Sequence, residues 1–167
     1  MTEAKGKTPR DSAVETRYLV MPDQANPSGT VFGGVIAAWI DMVAGMAAQR
    51  HCRTGVVTAR IDSLNFVEPV YIGDHVVLKA SVNYAGRTSM EVGVKVIREN
   101  PCTGQQIEAT TAYLTFVALD RENKPTPVPP LIPEPKKRSS VTKMPGSASR
   151  LARNCWRNVN KTTLASD

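Results

Sequence analysis

The stretch Asn26–Cys52, NPSGTVFGGVIAAWIDMVAGMAAQRHC, limits what the chain can fold into more than any other. From Val31 to Ala48 every residue is apolar or glycine except Asp41. That run is too long for a strand, and its apolar residues fall on every face of a helix. It predicts a helix buried nearly all round. A lone carboxylate there costs on the order of several kcal/mol, or takes up a proton. Asp41 therefore has a compensating partner, as in an ordinary structural ion pair, or serves a site that needs a carboxylate with little competing water. A bilayer span of similar length is disfavoured, because Asp41 lies near its centre and Gly29, Gly33, Gly34 and Gly45 dilute its hydropathy.

Charge is distributed in a way that separates a domain from a tail. The net charge of the 167 residues is +6. Residues 134–167 account for all of it, with eight lysines and arginines against Glu134 and Asp167, and residues 1–133 are balanced. The length suits one domain over 13–133, preceded by a polar, flexible N-terminus over 1–12. The tail 134–167 is basic and poor in large apolar residues, which predicts disorder, with a short helix around Ser149–Trp156 as its one candidate element. Cys52, Cys102 and Cys155 are odd in number, far apart and free of metal-ligand spacing. With only His51 and His75 beside them, no metal site and no cofactor is expected. The cysteine usage and the lack of a signal or transit pattern point to a cytoplasmic protein.

Around the helix the period changes to that of strands. Val14–Met21 reads as a strand ended by Pro22, and a loop rich in Pro, Asn, Ser and Gly leads to a helix start between Val31 and Gly34. His51 and Arg53 stand at its C-terminal end, where positive charge is favoured. Beyond Gly55, VVTARIDSLNF, HVVLKASVNY, SMEVGVKVI and IEATTAYLTFVALD read as four strands in an antiparallel meander, with a tight turn at Ala85-Gly86. One very apolar helix with one long sheet predicts an α+β fold in which the sheet curls around the helix. The proline-dense stretch after Arg121 reads as an extended surface strap.

Four ordered segments carry a family resemblance: N-x-x-G-x-V-F-G-G with I-D-M-V-A-G, then VVTARIDSLNFVEPVYIGD, AGRTSMEV and LTFVALDRENKPTPVP. Over about Met21 to Pro130 the chain resembles the hotdog-fold acyl-CoA thioesterases, and among them the YciA-type bacterial enzymes and the cytosolic (brain-type) acyl-CoA hydrolases. The resemblance implies a curved antiparallel sheet around a central helix. It also implies a homodimer with a continuous sheet, often assembled as a trimer of dimers, and an active site between two subunits. The family's catalytic carboxylate falls on Asp41 and its catalytic asparagine on Asn26, one from each chain. Its CoA contacts fall near Gly86-Arg87-Thr88-Ser89. The tail after Glu134 has no counterpart in it.

Hydrolysis of an acyl-CoA thioester needs a polarised carbonyl, a positioned water and a proton acceptor. The Gly33-Gly34 backbone at a helix N-terminus supplies donors at the positive end of the dipole. Asp41 supplies a base, or attacks the carbonyl itself. Seven residues separate Gly34 from Asp41, roughly 10 Å along one helix, which suits a site built from two chains. Arg87 is the candidate for a CoA phosphate, with Thr88 and Ser89 assisting. Phe32, Trp39 and Phe66 are candidates for the acyl pocket, or for the core. A non-catalytic acyl-CoA sensor is the alternative, and a costly buried carboxylate argues against it. A dehydratase would need a histidine near Asn26–Asp41, where there is none. The basic tail could bind nucleic acid or anionic membrane without specificity, and no specific nucleic-acid partner is expected.

Overall fold

The computed structural model describes residues 6–132. A four-residue helix, α1 (Pro9–Ser12), precedes strand β1 (Val14–Leu19). A 3-10 turn at Pro22–Gln24 and a loop then lead into α2 (Gly33–Cys52). Four strands follow: β2 (Gly55–Phe66), β3 (His75–Ala85), β4 (Ser89–Glu99) and β5 (Gln106–Leu119). All five strands are antiparallel, in the order β1-β3-β4-β5-β2. α2 packs against every one of them. This is the hotdog arrangement that the sequence predicts.

The core lies between α2 and the inner face of the sheet. Ile36, Ile40, Val43, Ala44, Ala47 and Ala48 of the helix meet Leu78, Val82, Met90, Val92, Leu114 and Phe116 of the strands, all buried. Small residues bring the helix close to the sheet: an added Cβ on Gly45 would stand 3.7 Å from the Phe116 ring. The alternating apolar positions foreseen for β3 and β4 are buried, from Val76 to Val82 and from Met90 to Val96.

Strand order departs from a four-strand meander. Only β3, β4 and β5 follow one another, while β2 crosses to the far edge and pairs with β5. The link from β2 to β3 contains Pro69 and Gly73 and is too long for a hairpin, so it does not force the two strands together. Alternation fixes which face of a strand is buried and carries no information on its neighbour.

The N-terminal segment also needs correcting: from Lys7 onward it is tied down. Lys7 N–H donates to the Pro130 carbonyl at 2.9 Å, and Ile132 N–H donates to the Lys7 carbonyl at 2.8 Å. The Lys7 ammonium donates to the carbonyls of Arg50 and His51 at 3.3 and 2.5 Å, closing the end of α2. Ser12 is buried, and its hydroxyl oxygen accepts Val82 N–H at 2.9 Å. So short and polar a helix shows no apolar period, and in the sequence it looks the same as a flexible end. The expected disordered tail and its Ser149–Trp156 helix lie outside the described residues.

The helix is not buried all round in the single chain. Phe32, Ala38, Met42, Met46 and Gln49 form an exposed stripe along α2, with Met42 51% exposed. β2 has a free edge, and Val57 and Ile61 are about half exposed on it. An apolar helix face beside a long unpaired strand edge is a surface that proteins normally cover. Among the described residues no helix is long and apolar enough to cross a membrane.

Candidate active site

Asp41 stands where the bare helix face meets β2. It is half-buried rather than deeply buried, and its Oδ1 accepts the Thr58 hydroxyl of β2 at 2.7 Å. The partner that the sequence required is therefore a neutral hydroxyl and not a basic residue. One oxygen is held, and Oδ2 is left for other chemistry. Thr58 was not singled out from the sequence. It is one more β-branched residue in a strand, and its nearness to Asp41 follows only from β2 lying beside α2.

At the other end, α2 starts without a side-chain cap, its N-cap being Phe32. Val35 N–H turns back to the Phe32 carbonyl at 2.9 Å, while the N–H groups of Gly33 and Gly34 have no intrahelical acceptor, so this end is a ready site for an oxyanion. Two exposed rings frame it. The Phe66 ring lies 3.4 Å from where a Cβ on Gly33 would stand, and the Phe32 ring lies across the Cβ position of Gly34, where any side chain would collide with it. Phe32, Gly33, Gly34 and Phe66 thus come together from the helix start and the end of β2.

Trp39 goes elsewhere. Two residues from Asp41 is about 200° around a helix, and Trp39 is buried on that other side, stacked on Tyr18 of β1 with ring centroids 4.6 Å apart. Of the two places that the sequence leaves open for it, Trp39 takes the core, away from Phe32 and Phe66.

Asn26 opens the loop before α2. Its N–H donates to the Thr30 carbonyl at 2.7 Å, and its carbonyl accepts Gly29 N–H at 2.9 Å. Gly29 sits at φ +77°, a conformation that favours glycine. The Asn26 side chain turns back into its own loop: Oδ1 accepts Ser28 N–H at 2.9 Å and Thr30 N–H at 3.3 Å, and Nδ2 donates to Thr30 Oγ1 at 2.9 Å.

Arg87, Thr88 and Ser89 form the β3–β4 hairpin. The Thr88 carbonyl accepts Ala118 N–H at 2.9 Å, and the Arg87 carbonyl accepts Val128 N–H of the proline-rich strap at 3.0 Å. Arg87 is exposed. No hydrogen bond joins this hairpin to Asp41 or Asn26 among the described residues, yet the register is informative. Ser89 pairs with Val117, and Val117 pairs with Val57, the neighbour of Thr58. Two strand spacings, about 10 Å, therefore separate the hairpin from the strand position beside the Asp41 contact.

His51 is buried at the end of α2, with Nε2 2.8 Å from the Pro129 carbonyl. Among the described residues no group of three His, Cys, Asp or Glu side chains could hold a metal ion.

Residues 28–104 match the family described as the thioesterase superfamily. The chain is 45% identical over 125 residues to the uncharacterized acyl-CoA thioester hydrolase YkhA of Bacillus subtilis, covering 75% of this chain and 73% of that one. A solved hexameric acyl-CoA thioesterase in its apo form is 36% identical with a TM-score of 0.76, over 97% of this chain and 98% of that one. The acyl-CoA hydrolase of Staphylococcus aureus, solved with butyryl coenzyme A, coenzyme A and its disulfide, is 33% identical with a TM-score of 0.74, over 95% and 96%. Three variants of that enzyme replace an asparagine, an aspartate and a threonine by alanine. The intervals between those three positions equal the intervals between Asn26, Asp41 and Thr58.

Proposed function

The chain belongs to the thioesterase superfamily and is an acyl-CoA hydrolase, and from that premise we propose that its reaction runs in a site shared by two subunits. One subunit contributes the Asn26 loop and the start of α2, and the other contributes Asp41. The observation that carries this reading is the place of Asp41. It is held by Thr58 at the seam of a bare apolar helix face and a free strand edge, roughly 10 Å along the helix from the nearest oxyanion donors of its own chain. A second copy laid β2 against β2 covers that surface and brings its own helix start toward Asp41. The hexameric relative supports a trimer of such dimers.

In this site the thioester carbonyl oxygen accepts N–H groups at Gly33-Gly34, and Asn26 Nδ2 holds the carbonyl or the attacking water. Asp41 Oδ2 takes the proton of that water as its oxygen bonds to the carbonyl carbon. The tetrahedral intermediate collapses, the carbon–sulfur bond breaks, and the CoA thiolate takes up a proton. Thr58 keeps Oδ1 occupied and so fixes which oxygen acts. Phe32 and Phe66 offer apolar surface to the acyl chain near the helix start. Arg87, an exposed cation about two strands from Thr58, is the side chain proposed to meet a CoA phosphate, with Thr88 and Ser89.

Release of free thiol from acyl-CoAs of short, medium and long chain is the direct test, with Thr58→Val beside the wild type. Wild-type turnover with a loss of about tenfold in kcat for the variant, at unchanged KM, is the expected result. Tight acyl-CoA binding without thiol release would instead make the chain a sensor.

A further inference from the structure

Behind the Asn26 loop lies an interlocked set of contacts that the reaction scheme does not use. Thr30 forms a bridge with Tyr71, and Val31 N–H donates to the Val70 carbonyl at 2.8 Å. The turn 69–74 is itself clamped. Tyr71 N–H donates to Asp74 Oδ2 at 3.0 Å, and Arg98 Nη1 donates to the Pro69 carbonyl at 2.7 Å. The Arg98 guanidinium lies 5.2 Å over the Tyr71 ring, with Nε 3.8 Å from Asp74. Asp74 is buried, and burial pushes its carboxyl above the usual range against the opposing pull of the Tyr71 N–H and Arg98. The clamp holds one strand-like segment, and that segment holds Thr30.

Thr30 in turn fixes an amide. A terminal amide torsion is broad, and exchanging the oxygen and nitrogen of an asparagine costs little in packing. In this loop the exchange is blocked. A half-turn of the Asn26 amide would point its NH2 at the N–H groups of Ser28 and Thr30, donor against donor. The Thr30 hydroxyl can donate as well as accept and does not itself oppose the exchange, but in the observed setting it accepts one Nδ2 hydrogen and so aims the other. The observed setting spends both lone-pair directions of Oδ1 and one Nδ2 hydrogen inside the loop. One N–H of Nδ2 remains to donate outward.

We propose that Thr30 is a positioning residue for hydrolysis, acting through Asn26: its N–H helps fix which end of the amide carries the donor, and its hydroxyl, by accepting one Nδ2 hydrogen, aims the other at the thioester. This rests on the placing of Asn26 in the reaction site. The Asp74–Arg98 clamp serves the same end by holding the segment on which Thr30 rests.

A double-mutant cycle in the full chain decides it. Thr30→Val keeps the branched shape and removes the hydroxyl. It is expected to lower kcat about tenfold with KM unchanged, while Thr30→Ser, which keeps the hydroxyl, restores most of the rate. Thr30→Ala provides the same comparison if the valine variant folds poorly. In an Asn26→Ala background, Thr30→Val is expected to add no further loss, because its effect is spent through Asn26. A Thr30→Val loss that multiplies with that of Asn26→Ala would make the residue merely structural and overturn the proposal, as would a wild-type rate for Thr30→Val. If Asn26→Ala alone were fully active, the role of Asn26 would fall first and this proposal with it, a result distinct from either of the others.

Discussion

Asp41→Asn is expected to lower kcat for acyl-CoA hydrolysis by about 10²-fold or more, with the fold retained and KM little changed. The substitution is close to isosteric, and its oxygen can still accept the Thr58 hydroxyl, now held at 2.7 Å by the carboxylate. Packing and the α2–β2 contact are therefore preserved, and what is lost is the ability to take a proton. An amide also cannot attack the carbonyl to form an anhydride, so the loss is expected whether Asp41 is base or nucleophile. Single turnover in ¹⁸O-water tests for the anhydride: heavy oxygen in the carboxylate of Asp41 marks an anhydride hydrolysed at the protein side, whereas direct attack by water, or hydrolysis at the acyl side, places it only in the fatty acid. Thermal unfolding midpoints matched to the wild type, together with intact thiol release, would show that Asp41 is a structural residue and that the reaction uses another group.

The reach of the sequence is clear in the same residue. Asp41 stands out because a charge interrupts an otherwise apolar run, and no fold is needed to notice it. Thr58 does not stand out, since its meaning depends on a contact across 17 positions between a helix and an edge strand. The helix itself was legible in length and place, from Gly33 to Cys52. Its surroundings were misread, because a helix that is apolar all round looks the same in sequence whether its own chain or a second copy covers it. Met42 and Met46 belong to the uncovered face. The gathering of Phe32 and Phe66 over Gly33 and Gly34 was suspected residue by residue, while their meeting depends on where β2 ends relative to the helix start. That is a matter of register, which alternation does not encode. Trp39 shows both cases. Its place two residues from Asp41 puts it on the far side of the helix, while its stacking on Tyr18 depends on where β1 lies.

Two inactive variants are expected to restore each other. If Asn26 and Asp41 act in one chain, a mixture of Asn26→Ala and Asp41→Ala subunits stays inactive in every combination. If each site takes Asn26 from one subunit and Asp41 from the other, a mixed dimer contains one site with both lesions and one site with neither. Random pairing of equal amounts makes about half of the dimers mixed, so about a quarter of all sites are intact. Chains co-expressed with different affinity tags, or refolded together, should regain about a quarter of the wild-type thiol-release rate, whereas the same chains mixed without subunit exchange should not. The apolar stripe on α2 and the free edge of β2 are what make this outcome expected. Covering them places a second helix start near the Asp41 seam, and the roughly 10 Å between Gly34 and Asp41 along one helix leaves a single thioester carbonyl too short to reach both. Recovery absent from a purified, doubly tagged dimer would assign the whole site to one chain, and the bare surface would then be an assembly contact with no part in the chemistry.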